Sequence, residues 1–302
     1  MKITSELMRI LITGSCGFLG YNLTQYIKRN YADWEIHGFD INKRKDCDYF
    51  FKKINFNLTK DWKDILQKIE PNLIFHIIGI FSGNESDMFK TNTSSFFNFI
   101  NGLYESDLES KLIITGSAAQ YGLIKNEENP VKEDNTTAPT SIYGFTKNWQ
   151  EELALFYNQT YGINVVCTRP STYIGKGVSQ KLLVGYLTSK FSEKKDKVEI
   201  SITNPNDIRD YIDVRDVSDA LVKLLLNPNT SGEIFNVSSN HPISNLELIQ
   251  MFEKISKKEA VITYTNPDKI PFKIWQDNTK IKNAIDFELN YSLVDSISWC
   301  LE

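Results

Sequence analysis

Tyr143 and Lys147, four residues apart, are the pair of side chains in this 302-residue chain best suited to moving a proton. On a helix that interval puts a phenol and an ammonium on one face. A free phenol titrates at about pH 10, too high for a base at neutral pH, and each unit of depression corresponds to about 1.4 kcal/mol of differential stabilisation of its anion. Lys147, together with a second positive charge nearby, is expected to supply several units. Ser117, in the run Gly116-Ser117-Ala118-Ala119-Gln120-Tyr121-Gly122, is a hydroxyl that can donate or relay a hydrogen bond to the same substrate oxygen. Taken alone, Y-x-x-x-K has another reading, a solvent-facing lysine beside a packed tyrosine.

A second group of residues could hold an anion through backbone alone. The segment Thr13-Gly14-Ser15-Cys16-Gly17-Phe18-Leu19-Gly20 follows an apolar run and opens a stretch with helical period. Glycines there let the chain turn sharply and approach a pyrophosphate, while the helix start offers unpaired N–H groups and the positive end of its dipole. The spacing is G-x-x-G-x-x-G, which by itself could also be an ordinary turn. Asp40 ends the next apolar run, where a carboxylate can accept hydrogen bonds from the adenosine-ribose hydroxyls and repel a 2′-phosphate. NAD is therefore expected over NADP, although Asn42, Lys43 and Arg44 follow at once and could bind a phosphate instead. Asn57 and Leu58 fall where an adenine could be hydrogen-bonded and covered; a polar turn before a helix accounts for them equally well.

These groups need a scaffold, and the first 170 residues supply an alternating one. Short apolar runs at Arg9–Thr13, Glu35–Asp40, Tyr49–Asn55, Leu73–Ile77, Leu112–Thr115 and Asn164–Thr168 predict strands. Between them, three- and four-residue apolar spacing predicts helices at Leu19–Arg29, Trp62–Ile69, Asp87–Tyr104 and Tyr143–Tyr161. The expected fold is α/β, a Rossmann-type doubly wound parallel sheet with a smaller, mostly C-terminal substrate-binding lobe. Residues 1–170 with about 207–237 would form the dinucleotide-binding domain, and 171–206 with 238–302 the lobe. Further helices are predicted at Leu182–Phe191, Val214–Leu226, Leu246–Lys257 and Ser292–Leu301, with strands at Val198–Ile202 and Ile234–Val237.

Composition narrows the partners. With 38 acidic and 34 basic residues mixed along the chain and a net charge of −4, no basic face of the kind nucleic acid requires is expected. Cys16, Cys47, Cys167 and Cys300 lie far apart without a C-x-x-C pair, which predicts neither a metal site nor a disulfide framework and fits a reducing cytoplasm. No run of 18 apolar residues and no signal-like start occurs, so a cytoplasmic protein that does not enter a membrane is expected.

In its ordered set of motifs the sequence resembles the extended branch of the short-chain dehydrogenase/reductase family, the nucleotide-sugar epimerases, dehydratases and reductases. The resemblance runs through Thr13–Gly20, Phe75–Gly79, Asn92, Ser117–Gly122, Tyr143–Lys147, Arg169–Gly175 and Ile208–Val217. Ile124-Lys125-Asn126, Asn129–Glu133 and the loop 169–180 are most similar to GDP-4-keto-6-deoxymannose reductases and related GDP-sugar enzymes.

The resemblance implies roles residue by residue. Gly14, Cys16, Gly17, Phe18, Leu19, Gly20, Asp40, Asn42, Asn57, Leu58, Ile78, Gly79 and Pro170 would contact the dinucleotide, with Tyr143 and Lys147 at its nicotinamide ribose. Phe81, Ser117, Ala118, Tyr143, Thr172, Lys181 and Arg209 would contact the sugar nucleotide. Arg209 would hold its diphosphate, a task suited to a guanidinium fork; a salt bridge to a neighbouring Asp is the alternative. Thr172 stands where the family usually has Asn, and Lys176 where proline is common. His76 reads as a strand-end packing residue. A homodimer through helices matching 87–104 and 143–161 is the family expectation.

The implied activity is NAD(H)-dependent oxidation or reduction at carbon 4 of a nucleoside-diphosphate sugar. A 4-epimerase uses the same residues and remains the alternative. A non-catalytic NAD(H)-binding regulator is a third, against which the intact Ser117, Tyr143 and Lys147 argue, since a pure binder gains little from an activated phenol. Family 4,6-dehydratases carry an Asp-Glu pair where this chain has Ala118 and Ala119, so dehydration is not expected.

Overall fold

A computed structural model describes residues 7–56 and 61–302; the expected adenine contacts Asn57 and Leu58 lie outside the described residues. The first half of the chain runs β1 (Arg9–Thr13), α1 (Phe18–Asn30), β2 (Glu35–Asp40), β3 (Phe50–Lys53), α2 (Trp62–Ile69), β4 (Leu73–His76), α3 (Glu85–Phe89), α4 (Ser95–Ser106), β5 (Lys111–Thr115), α5 (Ile142–Tyr161) and β6 (Val165–Pro170). It continues with β7 (Thr172–Ile174), α6 (Leu183–Phe191), β8 (Lys197–Ile202), β9 (Ile208–Asp213), α7 (Val214–Leu226), β10 (Ile234–Val237), β11 (Pro242–Ser244), α8 (Asn245–Ser256), β12 (Glu259–Tyr264), α9 (Thr279–Ile285) and α10 (Leu293–Leu301). None of the described helices is long and apolar enough to cross a membrane.

Seven strands form one sheet in the order β10-β6-β5-β4-β1-β2-β3, and every pairing from β3 across to β6 is parallel. This is the Rossmann-type α/β fold the alternation predicts. Parallel strands covered on both faces must be apolar throughout. Accordingly Ile10, Leu11 and Ile12 of β1 and Leu112, Ile113 and Ile114 of β5 are all buried. The chain leaves β1 for β2 and β3 on one side, then crosses back to β4 on the other. In such sheets ligands bind at this reversal, beyond the carboxyl ends of the strands. The glycine segment after β1, Ile78-Gly79 after β4 and Ser117 after β5 all leave the sheet at that end. Below them the core closes around Trp62, whose ring meets Phe99 edge-on at 4.9 Å and stacks near Phe56 at 5.8 Å.

The helix predicted over 87–104 is interrupted. A π-helical turn at Lys90–Ser94 separates α3 from α4. Residues 90–95 carry no apolar side chain, so the three- and four-residue spacing lapses there and does not say how the helix is wound. Strand β3 is shorter than the predicted 49–55 and is an edge strand with Phe50 63% exposed.

The chain divides into two compact units. The first comprises residues 1–122, 137–169 and 218–235; the second comprises 123–136, 170–217 and 236–302. In the second, β9 lies between β7 (parallel) and β11 (antiparallel), and β8 pairs in parallel with β12. Residues 123–136 join it through Val131, whose N–H donates to the Trp275 carbonyl (2.9 Å) and whose carbonyl accepts from the Asp277 N–H (2.8 Å). Strands β7, β9, β11 and β12 are absent from the sequence reading. Strand β9 reads Ile-Arg-Asp-Tyr-Ile-Asp, and it can bury Asp210 because the N–H groups of Ser239 and Asn240 donate to that carboxylate at 3.2 and 3.0 Å.

Candidate active site

The turn from β1 into α1 has glycine at 14 and 17, with the small side chains of Ser15 and Cys16 between them. Gly14 has φ +74°, a conformation L side chains rarely adopt. A Cβ on Gly20 would stand 2.1 Å from the Gly14 carbonyl oxygen, so no other residue lets α1 start this close to the loop. Gly17 caps α1, which begins with Phe18 and buried Leu19, and Lys28 and Arg29 in its last turn complement the negative end of the dipole. The Asp40 carboxylate sits against this loop: Oδ2 accepts from the Cys16 N–H (2.9 Å) and Oδ1 from the Ile41 N–H (2.7 Å), with the exposed Asn42 N–H at 3.4 Å. A glycine-rich loop on a helix N-terminus, beside a strand-end carboxylate, fits the pyrophosphate and ribose of a dinucleotide.

Of the three cations and amides that follow Asp40, Arg44 is already engaged. Its guanidinium pairs with Asp46 at 3.1 Å and stacks 3.8 Å from the Tyr21 ring. Lys43 lies 5.8 Å from the Phe51 ring.

Ser117, Tyr143 and Lys147 all belong to the first unit. Ser141 caps α5 by accepting from the Gly144 N–H (3.1 Å), which fixes where the helix begins and so where Tyr143 stands in its first turn. Ser117 caps the short turn Ala118–Gln120: its Oγ accepts from the Ala119 N–H (3.2 Å), leaving its own proton to donate. Its hydroxyl acts on the Tyr143 phenol. Although the rim of Tyr143 reaches solvent, protein encloses the phenol. That enclosure raises its pKa above the ordinary value, and the Ser117 hydroxyl acts the other way.

Lys147 is buried, so the solvent-facing alternative does not hold. Burial pushes its ammonium down to about 8. Its Nζ donates to the Thr115 carbonyl (2.8 Å) and to Gln150 Oε1 (3.1 Å). In the ligand-free protein the phenol therefore stands above its ordinary value; the depression expected from Lys147 together with an oxidised nicotinamide concerns the dinucleotide-bound state. Gly79 leaves the space Lys147 occupies, since a Cβ there would lie 2.9 Å from Nζ.

Several supporting groups carry no assigned role in the sequence, although Asn92, Gln120 and Arg169 fall within the stretches that bear the family resemblance. Gln120 Oε1 accepts from the Ser117 N–H (2.8 Å) and holds that residue's backbone. Asn92, in the π-turn, accepts from the Ile80 N–H (2.9 Å), donates to the Ile80 carbonyl (2.9 Å) and donates to Thr146 Oγ1 (3.0 Å), tying the segment after β4 to α5. Glu151, one turn beyond Lys147, takes a two-pronged ion pair from Arg169 at 3.0 and 2.6 Å with both side chains buried. A glutamine one turn from a candidate lysine was the signal available for Gln150.

His76 is buried between Phe96 and Phe99, with Nδ1 3.2 Å from Thr13 Oγ1. Burial first, and the Lys147 charge second, hold it well below its ordinary value and therefore neutral. Ile78 is half-buried and Phe81 is 40% exposed; both lie in the first unit.

The remaining expected contacts belong to the second unit. Pro170 closes β6 and is buried, Thr172 opens β7 half-buried, and Lys181 is exposed before α6. The Arg209 guanidinium lies over the Phe272 ring at 4.7 Å and forms no ion pair among the described residues, so the salt-bridge alternative is not what the structure shows.

Comparison with known proteins follows the same lines. The chain is 26% identical to GDP-6-deoxy-D-talose 4-dehydrogenase of Aggregatibacter actinomycetemcomitans over 96% of its own length and 95% of that protein's. It is 24% identical to GDP-6-deoxy-D-mannose reductase of Pseudomonas aeruginosa, covering 84% of this chain and 82% of that one. A crystal structure of UDP-glucose 4-epimerase from Thermotoga maritima with UDP-glucose has the same fold, with a TM-score of 0.88 over 97% of both chains at 21% identity. Residues 10–238 match the model of the NAD dependent epimerase/dehydratase family. A match over that span, containing the glycine loop, Ser117, Tyr143 and Lys147, makes this chain a member of the NAD dependent epimerase/dehydratase family.

Proposed function

We propose that the chain is an NAD(H)-dependent oxidoreductase acting at carbon 4 of a nucleoside-diphosphate sugar, GDP-linked, with Tyr143 as the acid/base. The observation that carries this reading is the buried Lys147 ammonium, one turn from Tyr143 on α5 and bonded to the end of β5 from which Ser117 follows, at the same end of the sheet as the glycine loop. Bound at that loop, the dinucleotide supplies the hydride acceptor or donor and, when oxidised, a positive charge. In the oxidative direction the ionised Tyr143 oxygen takes the proton of the carbon-4 hydroxyl while Ser117 donates a hydrogen bond to the same substrate oxygen. In reduction Tyr143, already protonated by virtue of its burial, returns that proton to the carbonyl oxygen. Lys147, with two N–H groups committed to Thr115 and Gln150, has a third for a ribose hydroxyl.

Arg209 supports a diphosphate substrate, since its guanidinium is partly exposed and forms no ion pair among the described residues. The named activities of the dehydrogenase and reductase relatives support GDP and carbon 4. Ala118 and Ala119 support the absence of dehydration, because a methyl group can neither protonate a leaving hydroxyl nor take a proton from carbon 5. Asp40 supports NAD over NADP, and Arg44, one of the two competing cations, is already paired with Asp46 and stacked on Tyr21.

The test is to mix the protein with a GDP-hexose and either dinucleotide and follow reduced nicotinamide by absorbance. Net NADH accumulation is expected, with NADP at least about tenfold poorer, and Asp40→Ala should narrow that ratio by relieving like-charge repulsion. An epimerase would interconvert the sugars with no net NADH, and a preference for NADP would show that Lys43 and Arg44 dominate.

The same reading includes a homodimer. Phe97 and Tyr104 of α4 and Phe145, Phe156 and Tyr161 of α5 are each 43–50% exposed. Tyr161 lies 4.5 Å from Tyr104 and 5.7 Å from Phe156, so these rings form part of one apolar surface. Light scattering is expected to give twice the 34.8 kDa chain mass, and Phe156→Glu to give the single mass. A native protein that is monomeric at working concentration contradicts this.

A further inference from the structure

Lys147 carries three N–H donors and no acceptor. One goes to the Thr115 carbonyl and one to Gln150 Oε1. Gln150 lies one helical turn further along α5 and is 1% exposed. Its Nε2 has no hydrogen-bond partner among the described residues. An unbranched apolar side chain would fill the same volume without burying an unpaired donor, which is destabilising. Packing alone therefore gives no reason for an amide here, whereas its oxygen has one in the ammonium it accepts from.

We propose that Gln150 is a positioning residue for Lys147: its carbonyl oxygen fixes where the ammonium points and holds it in the charged form, leaving one N–H for a ligand. This rests on the reading of Lys147 as part of the proton-transfer set. The surroundings make the amide decisive. From β4 the ionisable group facing Lys147 is His76, which is neutral, and from the segment after β4 it meets the Gly79 backbone. From β5 it meets a carbonyl, and one turn earlier on α5 stands Tyr143, protonated through its burial. No carboxylate pairs with Lys147 among the described residues, so two neutral oxygens oppose the effect of burial on the ammonium. Removing one of them must favour the neutral amine, and replacing it by a carboxylate must favour the ammonium.

The experiment uses the ligand-free full chain with isotope-labelled lysine, following the Lys147 ε-methylene by NMR across pH, assigned by its loss in Lys147→Met. Gln150→Met is expected to lower the midpoint by about one pH unit, the size of one hydrogen bond to a charged group. Gln150→Glu is expected to raise it. General loosening of the helix cannot produce opposite shifts. If Gln150→Met does not fold, Gln150→Glu alone decides. An unchanged midpoint, or shifts in the same direction, overturns the proposal. Opposite midpoint shifts that leave the pH profile of turnover unmoved would uphold it, and would remove Lys147 from the reaction instead.

Discussion

Tyr143→Phe is expected to bind the dinucleotide as the native protein does and to turn over about 10²–10⁴-fold more slowly, the usual loss when a positioned acid/base is removed. The substitution deletes one oxygen from a ring in the first turn of α5. It leaves the Ser141 cap, the glycine loop and Lys147 in place. Ser117 keeps its bond to the Ala119 N–H and loses only the phenol. The pH dependence of the native enzyme follows from the same geometry. Burial raises the phenol, so proton acceptance is the disfavoured state at neutral pH, and oxidation should accelerate as pH rises toward the phenol's pKa. Reduction needs the protonated phenol and should fall over the same range. Dinucleotide titration with single-turnover kinetics separates binding from chemistry; native-like turnover in Tyr143→Phe removes Tyr143 as the acid/base.

Arg169→Leu should cost about 3–5 kcal/mol of folding stability, because it leaves the Glu151 carboxylate buried without its partner. Tyr143, Lys147 and Glu151 recur every four residues and form one stripe of α5. The Arg169 fork fixes that stripe to β6, and the same guanidinium lies 4.8 Å from the fully buried Tyr121 ring, in the loop that carries Ser117. The loss should thus be read both in denaturant unfolding and in turnover. Glu151→Leu combined with Arg169→Leu removes both charges and should recover part of the stability, since the largest penalty is the unpaired charge. A single variant within about 1 kcal/mol of native, the range of an exposed pair, would show that the pair is not sealed from water.

What the sequence made legible was chemistry written locally. The Gly14–Gly20 spacing, the four-residue step from Tyr143 to Lys147 and the apolar runs of β1, β4 and β5 each depend on neighbours in the chain, and the structure realises them nearly to the residue. What it hid depends on tertiary partners. The oxygens that receive Lys147 come from β5 and from Gln150, and no spacing rule announces a backbone carbonyl as a ligand. Burial of the Tyr143 phenol is likewise a tertiary effect: it raises the phenol in the ligand-free protein, and no spacing along α5 announces it. Asn92 is marked by the resemblance, but its ties to Ile80 and Thr146 are tertiary, and the polar run 90–95 does not announce a π-turn. Strand β9 was missed because its buried Asp210 is compensated by Ser239 and Asn240, about thirty residues away in sequence.

The most direct test of a carbon-4 oxidoreductase is the mass of its product. The protein is incubated with NAD or NADH and a panel of GDP-, UDP-, CDP- and dTDP-linked hexoses and their 4-keto forms, and the sugar nucleotides are then analysed by mass spectrometry. Loss of two hydrogens from a GDP-sugar, or gain of two by its 4-keto form, is the predicted result, and it should disappear in Tyr143→Phe. Efficient loss of water to a 4-keto-6-deoxy product, or an isomer of unchanged mass as the only product, would contradict it.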